Sequence, residues 1–241
     1  MPIVYMAALT AWLAGGTPVD PVARANFPAL LVEFGEGSTL YGYPDNEGNI
    51  TIGRGNEIPN YAAWQGLDWT LTDGVTPATF TQVQTAWLAL STAAKIVKAN
   101  GPDKWPGGGH YESYTSVRAT QASIDALIQQ RLDEFDSALR AGWEGWDDAP
   151  PAAQSVLMRL AWACGTVGPK GVNAIGWPKL HAFWVAKDWG KRLADGTVTG
   201  CASECSIPAL DKTEPGANQR AIEMFLSCTP ADTDPAPPSD T

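Results

Sequence analysis

The sequence predicts an α+β chain, mostly helical, folded as two lobes with a cleft between them. Three observations predict it. The second half repeats apolar residues at helical spacing, from Ile124 to Leu139 and again from about Ala152 to Cys164. The first half holds a strand–turn–strand signature between Tyr41 and Ile52. A length of 241 residues at 44% apolar content supports a core large enough for both. The small lobe is expected over about 27–119, the helical lobe over about 120–228, all within a single catalytic-size domain, 1–228.

Each element follows from its residues. Positions 3–14 are apolar and stop at Gly15–Gly16, which reads as a buried N-terminal helix packed on the helical lobe. No Lys or Arg precedes that run, so it lacks the positive start of an export signal. It is also shorter than the roughly 20 residues that span a bilayer. Leu30, Leu31, Val32 and Phe34 give a second short helix, with Glu36 at its end and Gly37 in the left-handed cap position. Tyr41 and Tyr43 alternate as in a strand. Asp45–Asn49 is a polar turn, and Ile50–Ile52 is the returning strand. Trp64 and Trp69 lie in a stretch with no clean period. Thr76–Pro77 reads as an N-cap followed by proline at the first helical position. Phe80, Val83, Trp87, Leu90, Ala94 and Val97 then form one helical face. Residues 100–114 read as loop, mobile at Gly107–Gly109, with His110 a plain loop histidine.

Thr120 is the expected cap of the next helix, which keeps Ile124, Leu127, Ile128, Leu132, Phe135 and Leu139 on one face and ends at Gly142. Trp143 and Trp146 link it to a helix at 152–164 that is apolar nearly all round, Arg159 excepted, as a central helix of a bundle would be. A glycine-rich loop leads to a helix over about Pro178–Leu193, with His181 at the surface or at a groove edge. A loop with Cys201 and Cys205 follows, then a last helix over Ala217–Leu226. The tail 229–241 is Pro-, Asp- and Thr-rich and reads as disordered.

Charge excludes some partners. A formal net charge of -10 disfavours nucleic acid, which needs clustered Lys and Arg, and disfavours attachment to an anionic membrane. No stretch reads as a stable membrane insertion. Eleven Trp is high for this length. Most are expected in the core, and two or three along a groove as platforms for sugar rings. Cys201, Cys205 and Cys228 do not form the two tight ligand pairs of a zinc site, so no metal and no cofactor is expected. A bridge from Cys228 to Cys201 or Cys205 is expected in an oxidising compartment, with Cys164 buried and unreactive.

The stretch Phe27–Asn56 carries the chemistry. Taken singly its polar residues are ordinary: Glu36 a solvated helix end, Asp45 a turn former, Thr51 a strand former, Tyr43 a packing tyrosine. Taken together they have a spacing. Asp45 follows Glu36 by nine positions and Thr51 follows Asp45 by six, opening Thr51-Ile52-Gly53-Arg54-Gly55. This arrangement resembles the phage-type lysozyme family of peptidoglycan muramidases. The match is sharp over about 27–57 and loose over about 120–228, where Asn218-x-Arg220-Ala221 is similar to the family's arginine-bearing last helix. Two departures stand out. Asn56 occupies the position where the family commonly has histidine, and residues 57–119 exceed the family's usual segment.

The resemblance implies a two-lobed lysozyme-like fold and a muramidase that cleaves the β-1,4 bond between N-acetylmuramic acid and N-acetylglucosamine. Acetal cleavage needs a proton for the leaving oxygen and a nucleophile on the far face of the sugar. Glu36 is the expected general acid, kept protonated by partial burial and by the negative end of its helix. Asp45 supplies charge, and Thr51 holds a water between itself and Asp45, which implies inversion. Tyr43, Asn56 and Arg220 are the expected substrate-binding residues. Peptidoglycan strands are the expected partner of a monomeric protein. A chitin-type hydrolase and a non-catalytic glycan-binding or structural module are the alternatives. The expected setting is a phage endolysin or a secreted antibacterial effector. Either would be made in the bacterial cytoplasm and act in the periplasm or on the wall; an effector would be matched by an immunity protein.

Overall fold

The computed structural model describes residues 38–166, 171–173, 175–207 and 216–228. The expected helix at 3–14, the helix ending near Glu36–Gly37 and the tail 229–241 lie outside the described residues. The rest is α+β and mostly helical, with two small antiparallel sheets. It divides into two compact units that meet in sequence between Arg131 and Leu132.

The first unit is built around a three-stranded meander. Strand β1 (Thr39–Pro44) pairs antiparallel with β2 (Ile50–Gly53), and β2 with β3 (Asn56–Glu57). The β1–β2 register sets Tyr43 opposite Thr51 and Pro44 opposite Ile50, with an irregularity between Thr39 and Tyr43. Helix α1 (Tyr61–Gln65) is capped by Asn60, whose side chain accepts from the Ala63 N–H. Strand β4 (Trp69–Leu71) pairs with β5 (Val117–Ala119) in a second, two-stranded sheet.

Helix α2 (Phe80–Asn100) starts three residues later than Thr76–Pro77 suggests. Thr79 is its N-cap, and a reciprocal box with Gln82 satisfies two end groups at once. Thr76 is instead held by Asp73, which accepts from its N–H and its hydroxyl, while Pro77 bridges to Thr70. Those bonds, led by the Thr76 hydroxyl, hold the exposed Asp73 carboxyl below its usual range. Of the expected face, Val83, Leu90, Ala94 and Val97 are buried, joined by Ala86 and Ala93; Phe80 is exposed.

Tryptophans lock this unit. Trp64 is fully buried, donates from Nε1 to the Val83 carbonyl at 3.1 Å, and lies 4.0 Å from the Trp69 ring. Gly42 on β1 is pressed against it: a Cβ there would sit 2.6 Å from the Trp64 ring and 2.9 Å from Leu90. Gly48, with φ of 80°, lets the hairpin turn touch α2, where a Cβ would fall 2.7 Å from the Ala94 carbonyl oxygen.

Helix α3 (Gln121–Gly142) starts in this unit and ends in the other. Thr120 caps it as expected, its hydroxyl accepting from the Ser123 N–H at 3.2 Å. Ile124, Ile128, Leu132 and Leu139 are buried. In the second unit, α4 (Pro151–Cys164) is buried on all sides from Pro151 to Ala161, the pattern of a central helix. Helix α5 (Pro178–Val185) is shorter than the expected Pro178–Leu193, because Lys187 turns to positive φ and Arg192 bridges to Val198. The two-cysteine segment is not a loop. Cys201 lies in helix α6 (Gly200–Glu204), and Cys205 caps it. Helix α7 spans Ala217–Leu226, as the sequence indicates. Trp143, Trp146, Trp184 and Trp189 form an aromatic cluster in which Trp184 meets the other three rings at 5.2–5.8 Å.

All four cysteines are thiols, so the expected bridge from Cys228 is not present. Each of three donates to a nearby carbonyl: Cys201 to Leu180, Cys205 to Ala202 and Cys228 to Met224. Cys164 is half-exposed rather than buried, because α4 leaves the core after Ala161.

Candidate functional site

Asp45 closes the β1–β2 turn, and its carboxylate is engaged there. Oδ1 accepts from the Glu47 N–H at 2.9 Å and from the Asn49 N–H at 2.8 Å. Oδ2 accepts from Asn49 Nδ2 at 3.2 Å. A carboxylate offers about four lone-pair sites. The second site on Oδ2 is left for a further donor among the described residues. Asp45 itself is half-buried.

Thr51 sits on β2 opposite Tyr43 and is only 4% exposed. Its hydroxyl donates to the Asn49 carbonyl at 3.5 Å. Directly opposed residues of an antiparallel pair share a sheet face, so Tyr43 and Thr51 project the same way. The expected shared water between Thr51 and Asp45 therefore has little access from this buried hydroxyl.

Tyr43 is half-buried and, like Trp105, packs on the cluster of Ala93, Val97 and Tyr111. It is thus a packing tyrosine, not an open platform for a sugar. Asn56 is 2% exposed, with Nδ2 donating to the Ile52 carbonyl at 3.4 Å and Oδ1 without a partner among the described residues. Asn56, itself on β3, lines no open surface in this structure, which does not favour its expected role in substrate binding. Arg220 lies half-buried on α7 in the second unit, folded back toward the Gly216 end of its own helix. Glu36 lies outside the described residues.

The segment after α2 contributes more than the sequence suggests. It is not loop throughout. It forms two 3-10 turns, Pro102–Lys104 and Gly108–Tyr114. Trp105 donates from Nε1 to the Pro44 carbonyl at 2.8 Å, tying the segment to the residue before Asp45. Gly108 lies on the Tyr43 ring, where a Cβ would be 3.1 Å away. Tyr111 is buried beneath, and Tyr114 and His110 are exposed beside it. The spacing of Tyr111 and Tyr114 is the three-residue period of a 3-10 helix, a signal that a search for 3.6 periodicity passes over.

Arg118 on β5 braces this corner. Its guanidinium donates to the carbonyls of Thr115, Val117 and Glu112, pairs with the Glu112 carboxylate at 3.5 Å, and lies 5.2 Å from the centre of the Tyr41 ring. Burial raises the Tyr41 hydroxyl pKa, and the Glu112 charge adds to that while Arg118 opposes it.

Among the described residues no group of three or more His, Cys, Asp or Glu is placed to hold a metal ion. No helix among them is long and apolar enough to cross a membrane. No family model, curated protein or solved structure matches the chain.

Proposed function

We propose that the chain is a glycoside hydrolase of the muramidase type, with a two-lobed lysozyme-like fold, acting on the glycan strands of peptidoglycan. One observation carries the reading. The acid and the threonine of the Glu36–Asp45–Thr51 spacing fall on a single hairpin, Asp45 at its turn and Thr51 on its return strand. In this reading Glu36 protonates the leaving oxygen. Asp45 steadies positive charge at the anomeric carbon, and Oδ2, the less engaged of its two oxygens, accepts from the attacking water. The three bonds from the turn fix the orientation of that carboxylate before substrate arrives. Thr51 contributes through the fold of the strand more than through contact with water, since its hydroxyl is buried. Endolysin and secreted effector are the two settings this activity fits.

The same burial favours a second reading, a glycan-binding module without turnover. An Asp45 held in its turn by three hydrogen bonds and a sealed Thr51 are what such a module would keep. Mass analysis of muropeptides after digestion of purified cell wall separates the two. Hydrolysis gives reducing-end muramic acid from the unaltered protein and almost none from Glu36→Gln, since loss of a general acid costs ~10²–10⁴-fold. Saturable wall binding with no new reducing ends would sink the hydrolase reading in favour of the module.

A further inference from the structure

The segment that follows α2 holds a feature that the hairpin chemistry does not use. An open hollow of about 740 Å³ lies beside the second 3-10 turn, lined by Thr72, Gly109, Glu112, Tyr114, Ser116 and Arg118 among others. That volume falls within the ~300–1,000 Å³ typical of small-molecule sites. Its chemistry is specific. Tyr114 is 44% exposed, and its ring is steadied by Tyr111 at 5.1 Å and His110 at 5.6 Å. The Tyr114 hydroxyl also meets His110 Nε2 at 3.4 Å. An aromatic ring fixed in this way can stack on a ligand without the cost of being ordered at that moment.

The rim carries the hydroxyls of Thr72 and Ser116 and the Glu112 carboxylate, whose side chain is 60% exposed. Arg118 is 14% exposed, and its donors go to backbone carbonyls and to Glu112. Its charge is matched locally by Glu112. An anionic ligand such as phosphate would meet no unmatched cation here, and a cationic ligand would meet the Arg118 guanidinium beside Glu112. A neutral ring with one apolar face and hydroxyls at its edge fits both the exposed tyrosine and the hydroxyl-rich rim. We propose that this hollow is a saccharide subsite: Tyr114 stacks on a pyranose ring of the glycan, and Glu112 and Ser116 accept from its hydroxyls. The site lies in the 57–119 segment, outside the hairpin that carries Asp45 and Thr51. The identity of the sugar polymer rests on the hydrolase reading above.

The test is a titration followed by amide NMR. The probe is the peptide-free tetrasaccharide of alternating N-acetylglucosamine and N-acetylmuramic acid, added to the full-length Glu36→Gln chain so that it is not consumed. Saturable shifts at the amides of 109–116 and at Thr72 are the expected result. Tyr114→Ala in that background should weaken binding at these amides at least tenfold. Gly109→Leu should do the same by filling the hollow, without disturbing the fold, because a Cβ at Gly109 meets no atom within 4 Å. Shifts absent from 109–116, or affinities there unchanged by both substitutions, would overturn the subsite. Cell-wall turnover by the unaltered chain is scored separately. Turnover without shifts at 109–116 removes the subsite and leaves the hydrolase. Shifts at 109–116 without turnover remove the hydrolase and leave the subsite.

Discussion

Asp45 has a structural role in its turn and a proposed chemical one, and one substitution can separate them. Its Oδ1 holds two turn N–H groups, and its charge is what the proposed chemistry uses. Asp45→Asn keeps an oxygen acceptor for both N–H groups, so the melting temperature should stay close to that of the unaltered protein while wall turnover falls sharply. Asp45→Ala removes the acceptor as well and should cost about 1–2 kcal/mol of stability in a urea melt. Equal stability loss in both variants would mean that the charge itself holds the turn. Gly42 offers a second residue-level test. A methyl there would sit 2.6 Å from the buried Trp64 ring, so Gly42→Ala should destabilise by about 1–3 kcal/mol through overpacking, read from the same denaturant midpoint. Legibility at this scale was mixed. Asp45 at a turn and Thr51 on a strand follow from local residue preference, which the sequence carries directly. The packing of Tyr43 depends on Gly108 and Tyr111 arriving from some sixty residues away. No local pattern encodes that meeting.

Elements were legible where the period was long and unbroken. Ile124 to Leu139 and the largely apolar run of α4 read correctly because each repeats over several turns. Boundaries failed where capping chemistry competed. Thr76–Pro77 has the right residue types for a helix start, yet Asp73 captures Thr76, and the Thr79–Gln82 pair makes the better cap. Thr79→Ala should therefore cost about 1 kcal/mol, with Thr76→Ala leaving the helix start intact. Helical circular dichroism and a urea melt of both variants check this; a larger loss from Thr76→Ala would return the helix start to the earlier threonine. The 102–114 segment failed for another reason. Its three glycines signal a loop, but Trp105, Tyr111 and the Gly108–Tyr43 contact supply the apolar packing that orders two 3-10 turns.

Across the whole molecule, the α+β class and the hairpin were readable, and the state of the cysteines was not. Every cysteine lies in the second unit, Cys201 and Cys205 buried and Cys164 and Cys228 half-exposed. Burial pushes the Cys205 and Cys228 thiols up to about 12, and raises Cys201 further with help from the Asp188 charge. The sign follows from proton linkage. Below the ordinary thiol value of 9.0 both folded and unfolded chains keep the proton, and the contribution to stability is fully present. Above it the unfolded chain releases protons that the folded chain retains, so unfolding gains ground as pH rises toward 12. Each such thiol adds a slope of about 1.4 kcal/mol per unit of pH. Urea midpoints at pH 8, 9.5 and 10.5 should therefore fall progressively, and the fall should be shallower in Cys228→Ala by the share of one thiol. The first unit contains no cysteine, so amide signals from the hairpin and α2 should lose protection less steeply with pH than those of α4 and α7. All other ionisable groups are common to both chains, which makes the difference between the variant and the unaltered chain the quantity to read. An identical slope in Cys228→Ala would mean that this thiol is open to solvent in the folded protein.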